Sequence, residues 1–443
     1  MNLLKGLLDY TRLVFHRWYP KKRIEAYQLK ELKKLYRYAI AHSPFYRDLY
    51  RDAPFNSISD FYKLPVIDKK RMMDHFTELN TCGLVKEEVS DFALRRETEK
   101  AYLQYYKDRY VVGLSSGTSG NKGLFITERE LTERLPFVFL ARSGIPLRLL
   151  PFKILFMLRV FNQGFNDINA DFISLSYLST MEPVDRVIQT INALGINILM
   201  APPSMINRLL PEVRRITADI RLVVTYAEVL SPVEKDRFKE VFKTEVIEIY
   251  QASEGQMASA CRLGHLHINE DLVFVELYDA EGCLIGEPGV VGHRMIITNL
   301  VNYAQPLIRY EMNDMIVLDE PCPCGSKFRR IKQVLGRHDD ILYFRRGDEI
   351  QYVFPDLFVR WIIVTSDDIR EFKVIQHRLN EITVDLDLLV PNAGIPDLLK
   401  AKLLRELAAY GIQNPEISIN LKRIELPREK NKFKRFESHL PKD

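Results

Sequence analysis

Tryptophan and cysteine are scarce in this chain of 443 residues: it has two of the first and five of the second. An odd number of thiols in so long a chain is no disulfide framework and points to a reducing, cytoplasmic compartment. Long apolar runs are missing too. The amino-terminal stretch MNLLKGLLDYTRLVFHRWYPKKR is broken by Lys5, Asp9, Arg12 and Arg17, which excludes a spanning helix of about 20 residues, and no small-residue cleavage site follows. Charge of one sign is hardly in excess: 63 basic against 59 acidic residues leave +4, too little to argue for nucleic acid. Internal repeats and low-complexity tracts are absent. What remains is an ordinary globular composition, 47% hydrophobic and 28% charged, at a length that predicts two or more domains.

The amino-terminal stretch admits two readings. One is a helix packed on its own domain. The other is an amphipathic helix lying on the inner face of a membrane, with Leu4, Leu7, Leu8 and Trp18 toward lipid and Lys21, Lys22 and Arg23 toward head groups.

From residue 24 to 110 the pattern is helical and connecting, ending its main helix at Ser43 and Pro44. Short apolar strands then alternate with amphipathic helices. FKILFML, INILMA, IRLVVTY and EVIEIY are the strands; VDRVIQTINALG, SMINRLLPEVRR and SPVEKDRFKEVFK, capped at Ser231, are the helices. This order predicts an α/β fold with parallel sheets covered by helices. Ligands in such sheets lie beyond the carboxyl ends of the strands, which draws together the loops after Leu114, Tyr226 and Tyr250. A β-rich portion begins near residue 268. A small α+β unit follows a break near residue 338, giving a large domain over 1–338 and a lid over 339–443.

The stretch GLSSGTSGNKG, 113–123, follows the apolar run Tyr110, Val111 and Val112 without the order of a Walker loop. Ser115, Ser116, Gly117, Thr118, Ser119, Gly120, Asn121, Lys122 and Gly123 supply backbone N–H groups, hydroxyls and one cation, the donors an oligophosphate needs. A ligand-free surface loop has the same composition. Three further segments favour the phosphate. YQASEG, 250–255, places Glu254 after a strand, where a carboxylate holds Mg²⁺. IRYEMNDM, 308–315, presents Asp314 at a strand end, and GRHDD, 336–340, stands at the domain break.

With LPREKNKFKR, 426–435, these segments resemble the adenylate-forming superfamily in order and spacing, from about residue 30 to the carboxyl terminus. AHSPFYR, SSGTSG, YAEVLSP, GHLHINED and CPCG followed by GRHDD make the chain most similar to the phenylacetate-CoA ligase branch and its relatives in polysaccharide and natural-product clusters. The resemblance implies attack of a carboxylate on the α-phosphorus of ATP, giving acyl-AMP and pyrophosphate, then passage of the acyl group to a thiol such as coenzyme A. Catalysis of the first step is largely electrostatic, since an anion approaches a polyanion.

By the same correspondence Thr118, Ser119 and Lys122 grip the β- and γ-phosphates, Ser253 meets the α-phosphate and Glu254 holds Mg²⁺. Asp314 and Arg337 bind ribose, Ala227 and Glu228 line the adenine slot, and Tyr250 stacks near the base. Lys432 matches the adenylation lysine, with Lys430 and Lys434 as rivals, and the alternative for all three is a solvated basic tail. Asp339 matches the hinge about which the lid turns between half-reactions, bringing Gly347 toward the acceptor tunnel.

Cys261, His267, Cys322 and Cys324 offer three thiolates and an imidazole, a set that suits tetrahedral Zn²⁺ with no open position and hence a structural site. Some members of the resembled branch carry zinc at matching positions. His265 is the alternative imidazole, on the opposite strand face. Phe161, Phe165, Pro203 and Tyr226 suggest room for a ring in the acyl pocket, or core packing. Two further functions stay open: transfer of the acyl group to an amine or hydroxyl, and a non-catalytic nucleotide-binding protein of a membrane-associated assembly. Members of the branch are often dimers.

Overall fold

Ser231 opens the helix Pro232–Phe242 as a capping box: its hydroxyl accepts from the Glu234 N–H at 3.2 Å, and the Glu234 carboxylate accepts from the Ser231 N–H and hydroxyl at 3.2 and 2.9 Å. The computed structural model describes residues 3–51, 53–99, 104–114, 123–142, 145, 149–158, 169–170, 173–180, 182–337, 340–347, 349–366, 368–424 and 433–440. The strands read as FKILFML, IRLVVTY and EVIEIY stand at Phe152–Leu158, Leu222–Thr225 and Glu245–Ala252. SMINRLLPEVRR is an α-helix only over Pro203–Leu209. It tightens into a 3₁₀ turn over Leu210–Arg215, where Pro211 contributes no N–H.

The chain groups into two compact units. The first takes its described residues from Met1–Ser179, Ile247–Met312 and Ile316–Gln333; the second takes them from Thr180–Val246, Asn313–Met315 and Val334–Asp443. Residues 180–246 therefore group with the carboxyl-terminal region.

In the first unit Phe152–Leu158 and Ile173–Ser179 pair in parallel, while Val273–Tyr278 and Arg294–Asn299 pair antiparallel. The amino-terminal helix Leu3–His16 packs Leu13 against Val138, Ala141 and Leu272. His16 Nδ1 lies 2.8 Å from the buried Asp271 carboxylate, which also receives the Arg142 guanidinium. Burial works to raise the Asp271 pKa, but Arg142 and His16 outweigh it and hold the carboxyl below its usual value. The outer side of the same segment exposes Leu8, Phe15 and Trp18. No helix among the described residues is long and apolar enough to cross a membrane.

In the second unit Ile198–Met200 pairs in parallel with Leu222–Thr225. Its carboxyl-terminal part is a sheet in which Ile369–Arg378 runs antiparallel to Glu381–Leu388, with Glu416–Leu421 parallel beyond. The helices Pro355–Ile363 and Gly394–Ala409 belong to the same part, and Phe344, Phe358, Phe372, Leu386, Leu399 and Phe436 share its core. The basic tail read at the carboxyl terminus is tied in there, because Phe436–Ser438 adds a parallel strand along Val374, Ile375 and Gln376.

Candidate active site and metal centre

The strand Tyr110–Leu114, which leads into the Ser/Gly run, pairs antiparallel with Leu124–Glu128, which leaves it. The run therefore joins the strands of a ribbon, where the sequence pattern had suggested the end of a parallel strand. Ser115, Ser116, Gly117, Thr118, Ser119, Gly120 and Lys122 lie outside the described residues. The ribbon's outgoing strand is held by side chains. Gln305 accepts from the Ile126 N–H at 2.7 Å and donates to the Leu124 carbonyl at 3.0 Å, and Asn302 donates to the Ile126 carbonyl at 2.8 Å.

Ser253 and Glu254 form the turn between Glu245–Ala252 and Gly255–Ala260, with Ala252 facing Gly255 across it. Asn299 donates to the Glu254 carbonyl at 2.8 Å, and the Tyr310 hydroxyl stands 3.5 Å from the Glu254 carboxylate. A Cβ on Gly255 would lie 3.1 Å from Val273 and 3.2 Å from the Asn299 amide, so the absence of a side chain lets Asn299 reach the turn. Tyr250 lies in the incoming strand, opposite Ala258.

The second unit holds the other assigned residues. Asp314 and Arg337, 23 positions apart in sequence, meet at 3.5 Å. Ala227 follows the strand Leu222–Thr225 with a left-handed φ of 65°, a conformation uncommon for a residue with a Cβ and frequent where a loop is shaped for a ligand. Glu228 beside it is gripped by the Ser204 N–H at 2.9 Å and the Ser204 hydroxyl at 2.8 Å. Lys430, Lys432 and Asp339 lie outside the described residues, as do Phe161 and Phe165. Lys434 is engaged with Asp340 at 2.9 Å, which weakens it as a rival for the adenylation lysine. Pro203 and Tyr226 are buried.

The four proposed metal ligands do converge. One donor atom each from Cys261, His267, Cys322 and Cys324 lies within 4.8 Å of all the others, and all four residues are buried. The Cys261 and Cys322 sulfurs are 3.9 Å apart, close to the about 3.8 Å expected of two thiolates on one tetrahedral Zn²⁺. His267 turns Nδ1 to the Phe328 carbonyl at 3.0 Å and Nε2 to Cys324 at 3.6 Å, the orientation in which a backbone acceptor frees one nitrogen for a metal. Burial pushes the Cys324 thiol up to about 12. At Cys261 burial acts the same way, but the His267 hydrogen bond and nearby N–H groups overcome it and bring the thiol down to about 6. His265 corrects the sequence reading: its Nδ1 stands 3.1 Å from the Cys322 sulfur, so it too borders the cluster.

The thiol loop also fastens the amino-terminal segment. The Arg17 carbonyl accepts from the Lys327 N–H at 2.7 Å. Gly325 has a φ of 92°, and a Cβ there would be 2.8 Å from the Trp18 ring. Asn299, Asn302, Gln305 and Ser204 were not legible as site residues. Their signal is tertiary, since each acts on a segment distant in sequence.

No protein-family model matches the chain. Phenylacetate-coenzyme A ligase of Thermus thermophilus is 25% identical to it over 385 residues, which are 81% of this chain and 79% of that one. Protein CapK of Staphylococcus aureus is 25% identical over 163 residues, 36% of this chain and 34% of that protein. Among solved structures, 2-hydroxyisobutyryl-CoA ligase in the postadenylation state, in complex with 2-HIB-AMP, superposes with a TM-score of 0.69 at 16% identity, over 94% of this chain and 90% of that one. The chain has the fold of 2-hydroxyisobutyryl-CoA ligase and is similar in sequence to phenylacetate-coenzyme A ligase over most of its length.

Proposed function

We propose that this protein activates a carboxylic acid with ATP, forming acyl-AMP with release of pyrophosphate, and passes the acyl group to the thiol of coenzyme A. The observation that carries the reading is the extent of the likeness: one phenylacetate-CoA ligase aligns over 81% of the chain. The surroundings of several assigned residues support it. Asp314 and Arg337 stand together as a carboxylate and a guanidinium for the ribose hydroxyls. Glu254 sits in a turn braced by Asn299, ready to hold Mg²⁺. Thr118, Ser119 and Lys122 take the β- and γ-phosphates, Ser253 the α-phosphate, and Ala227, Glu228 and Tyr250 the adenine.

Lys432 bridges the substrate carboxylate and the α-phosphate, and residues 339–443 act as the lid, turning at Asp339. Cys261, His267, Cys322 and Cys324 hold a structural Zn²⁺ that supplies cross-linking and no catalytic step, since four protein ligands fill the coordination sphere. Exposed Leu8, Phe15 and Trp18 with Lys21, Lys22 and Arg23 suit peripheral attachment to an anionic membrane, and liposome flotation of the chain with and without its first 23 residues tests it.

Acid-dependent exchange of labelled pyrophosphate into ATP, over a panel of aryl, hydroxy and fatty acids, tests the main reading. Exchange with one class, lost in Lys432→Ala, is the expected result. Silence with every acid while ATP still binds would overturn it in favour of a non-catalytic nucleotide-binding protein.

A further inference from the structure

The loop that carries Cys322 and Cys324 is folded around their sulfurs. The Cys324 N–H points to the Cys322 sulfur at 3.5 Å, the Ser326 N–H to the Cys324 sulfur at 3.4 Å, and the Phe328 N–H to the Ser326 hydroxyl at 3.3 Å. Two links lead from this loop to the amino-terminal segment. In one, the Ser326 hydroxyl and the Lys327 N–H both donate to the Arg17 carbonyl, at 3.5 and 2.7 Å. In the other, the Phe328 carbonyl accepts from His267 Nδ1 at 3.0 Å, the Arg142 guanidinium carbon stands 5.0 Å from the centre of the Phe328 ring, and Arg142 donates to the Leu13 carbonyl at 2.5 Å. Trp18 closes over the loop at Gly325. Each link therefore runs without a gap from a thiol or imidazole of the cluster to residues 13–18.

Arg17 brings charge to the cluster as well as backbone. Its guanidinium donates to the Ala141 carbonyl and, with Cys261, His267, Ser326 and Phe328, lines a cavity of about 10 Å³, room for about one water molecule. Burial and Arg142 lower the Arg17 pKa, while Cys324, Cys261 and Asp271 act against them, so charge on the thiolates is felt at the segment. Three thiolates and a neutral imidazole around a divalent ion leave one net negative charge, and a guanidinium at the edge of the cluster opposes it. The helix also has anchors that owe nothing to the thiols, Leu13 in its apolar cluster and His16 on Asp271. The cluster therefore supplies part of the docking energy and not all of it.

We propose that metal binding by Cys261, His267, Cys322 and Cys324 and docking of residues 3–18 are one linked equilibrium, joined through Arg17. The inference rests on the structural-zinc reading given above and not on which acid is activated. Linkage is reciprocal: whatever factor the metal adds to docking of the segment, the docked segment adds to affinity for the metal. Withdrawal of zinc loosens the loop that seats residues 17 and 18, and the segment that exposes Leu8, Phe15 and Trp18 is then released more often.

The two tryptophans make the test direct, since Trp18 lies on the thiol loop and Trp361 in the core of the carboxyl-terminal part. The full chain labelled with fluorotryptophan gives one ¹⁹F signal for each, assigned with Trp18→Phe. A zinc chelator is expected to move the Trp18 signal and leave that of Trp361 in place, and Zn²⁺ alone should restore it. Chymotryptic cleavage after Phe15 and Trp18 should quicken about tenfold in the chelated protein, and zinc affinity measured by chelator competition should fall about tenfold in Arg17→Gln. A Trp18 signal and a cleavage rate indifferent to zinc would overturn the proposal on the wild-type chain, whether or not Arg17→Gln folds. Movement of both signals together would mark general unfolding and overturn it as well, as would unchanged zinc affinity in a folded Arg17→Gln. A wild-type chain that takes up neither Zn²⁺ nor Co²⁺ removes the metal site itself, and this inference with it.

Discussion

Each unit buries an ionic cluster around a single charged group, Asp271 in one and Arg435 in the other, and these two are built with opposite balances of charge. In the first unit Asp271 is a single carboxylate serving Arg142 and His16. In the second, Arg435 is a single guanidinium serving Glu371 and Glu234. The first has no residue assigned to nucleotide or acid and ties the amino-terminal helix to the body of its unit. The second stands three residues from Lys432. Buried pairs contribute little net stability over apolar packing but cost several kcal/mol when one partner is removed, so both clusters specify position. What they join differs: a helix to the body of its unit in one, the strand Ile369–Arg378 to the helix Pro232–Phe242 in the other.

The largest effect expected from breaking this comparison comes from Asp271→Asn, which strands Arg142 and His16 in the interior. Unfolding free energy in urea should drop by about 3–5 kcal/mol, and a loss under about 1 kcal/mol would show that water compensates the charges. Next in size is the thiol cluster. Cys322→Ser should take bound zinc from about one equivalent to less than half and lower the thermal midpoint by roughly 5 °C. Wild-type protein free of zinc by elemental analysis would refute the metal and leave the thiols as core residues.

A smaller change is expected of Asn299→Ala, which frees the Glu254 turn without touching either ionic cluster. Exchange should slow about tenfold with a raised KM for Mg-ATP, equivalent to about 1.4 kcal/mol; unchanged kinetics would mean that Glu254 needs no brace. The most delicate contrast is in pH dependence. Asp271 is held below its ordinary 3.8, so its contribution is present above that pH and lost as pH falls through the depressed value. Glu371 is raised above its ordinary 4.5 because burial outweighs Arg435, so its contribution is present below that pH and lost as pH rises through the raised value. Urea titrations of Asp271→Asn and Glu371→Gln across this range should therefore lose slopes of opposite sign, and slopes of one sign would contradict the assignment.

How much of this was legible in the sequence depended on whether the signal was local. Ser231 as a helix cap and the apolar strand at 152–158 are written in neighbouring residues and stand as read, and the strand read over 220–226 stands over Leu222–Thr225. The convergence of Cys261, His267, Cys322 and Cys324 was legible because thiols are few and metal chemistry constrains their number and kind. The environment of Arg435 was hidden, since nothing in KNKFKR announces two carboxylates brought from residues 234 and 371. The grouping of 180–246 with the carboxyl-terminal region was equally hidden, because amphipathic helices show that a face is buried without showing what covers it. Ser204 as the grip on Glu228 belongs to the same class.

The amino-terminal helix has a consequence for how the protein is made. His16 meets Asp271 only after 255 further residues have been added, and Arg17 waits still longer for Lys327. At about 5–20 residues per second, synthesis leaves this helix without Asp271 and Lys327 for roughly ten seconds to a minute. Throughout that interval the face of Leu13, destined for the interior, lacks Leu272. This segment must therefore be kept from aggregating until the middle of the chain has emerged to receive it.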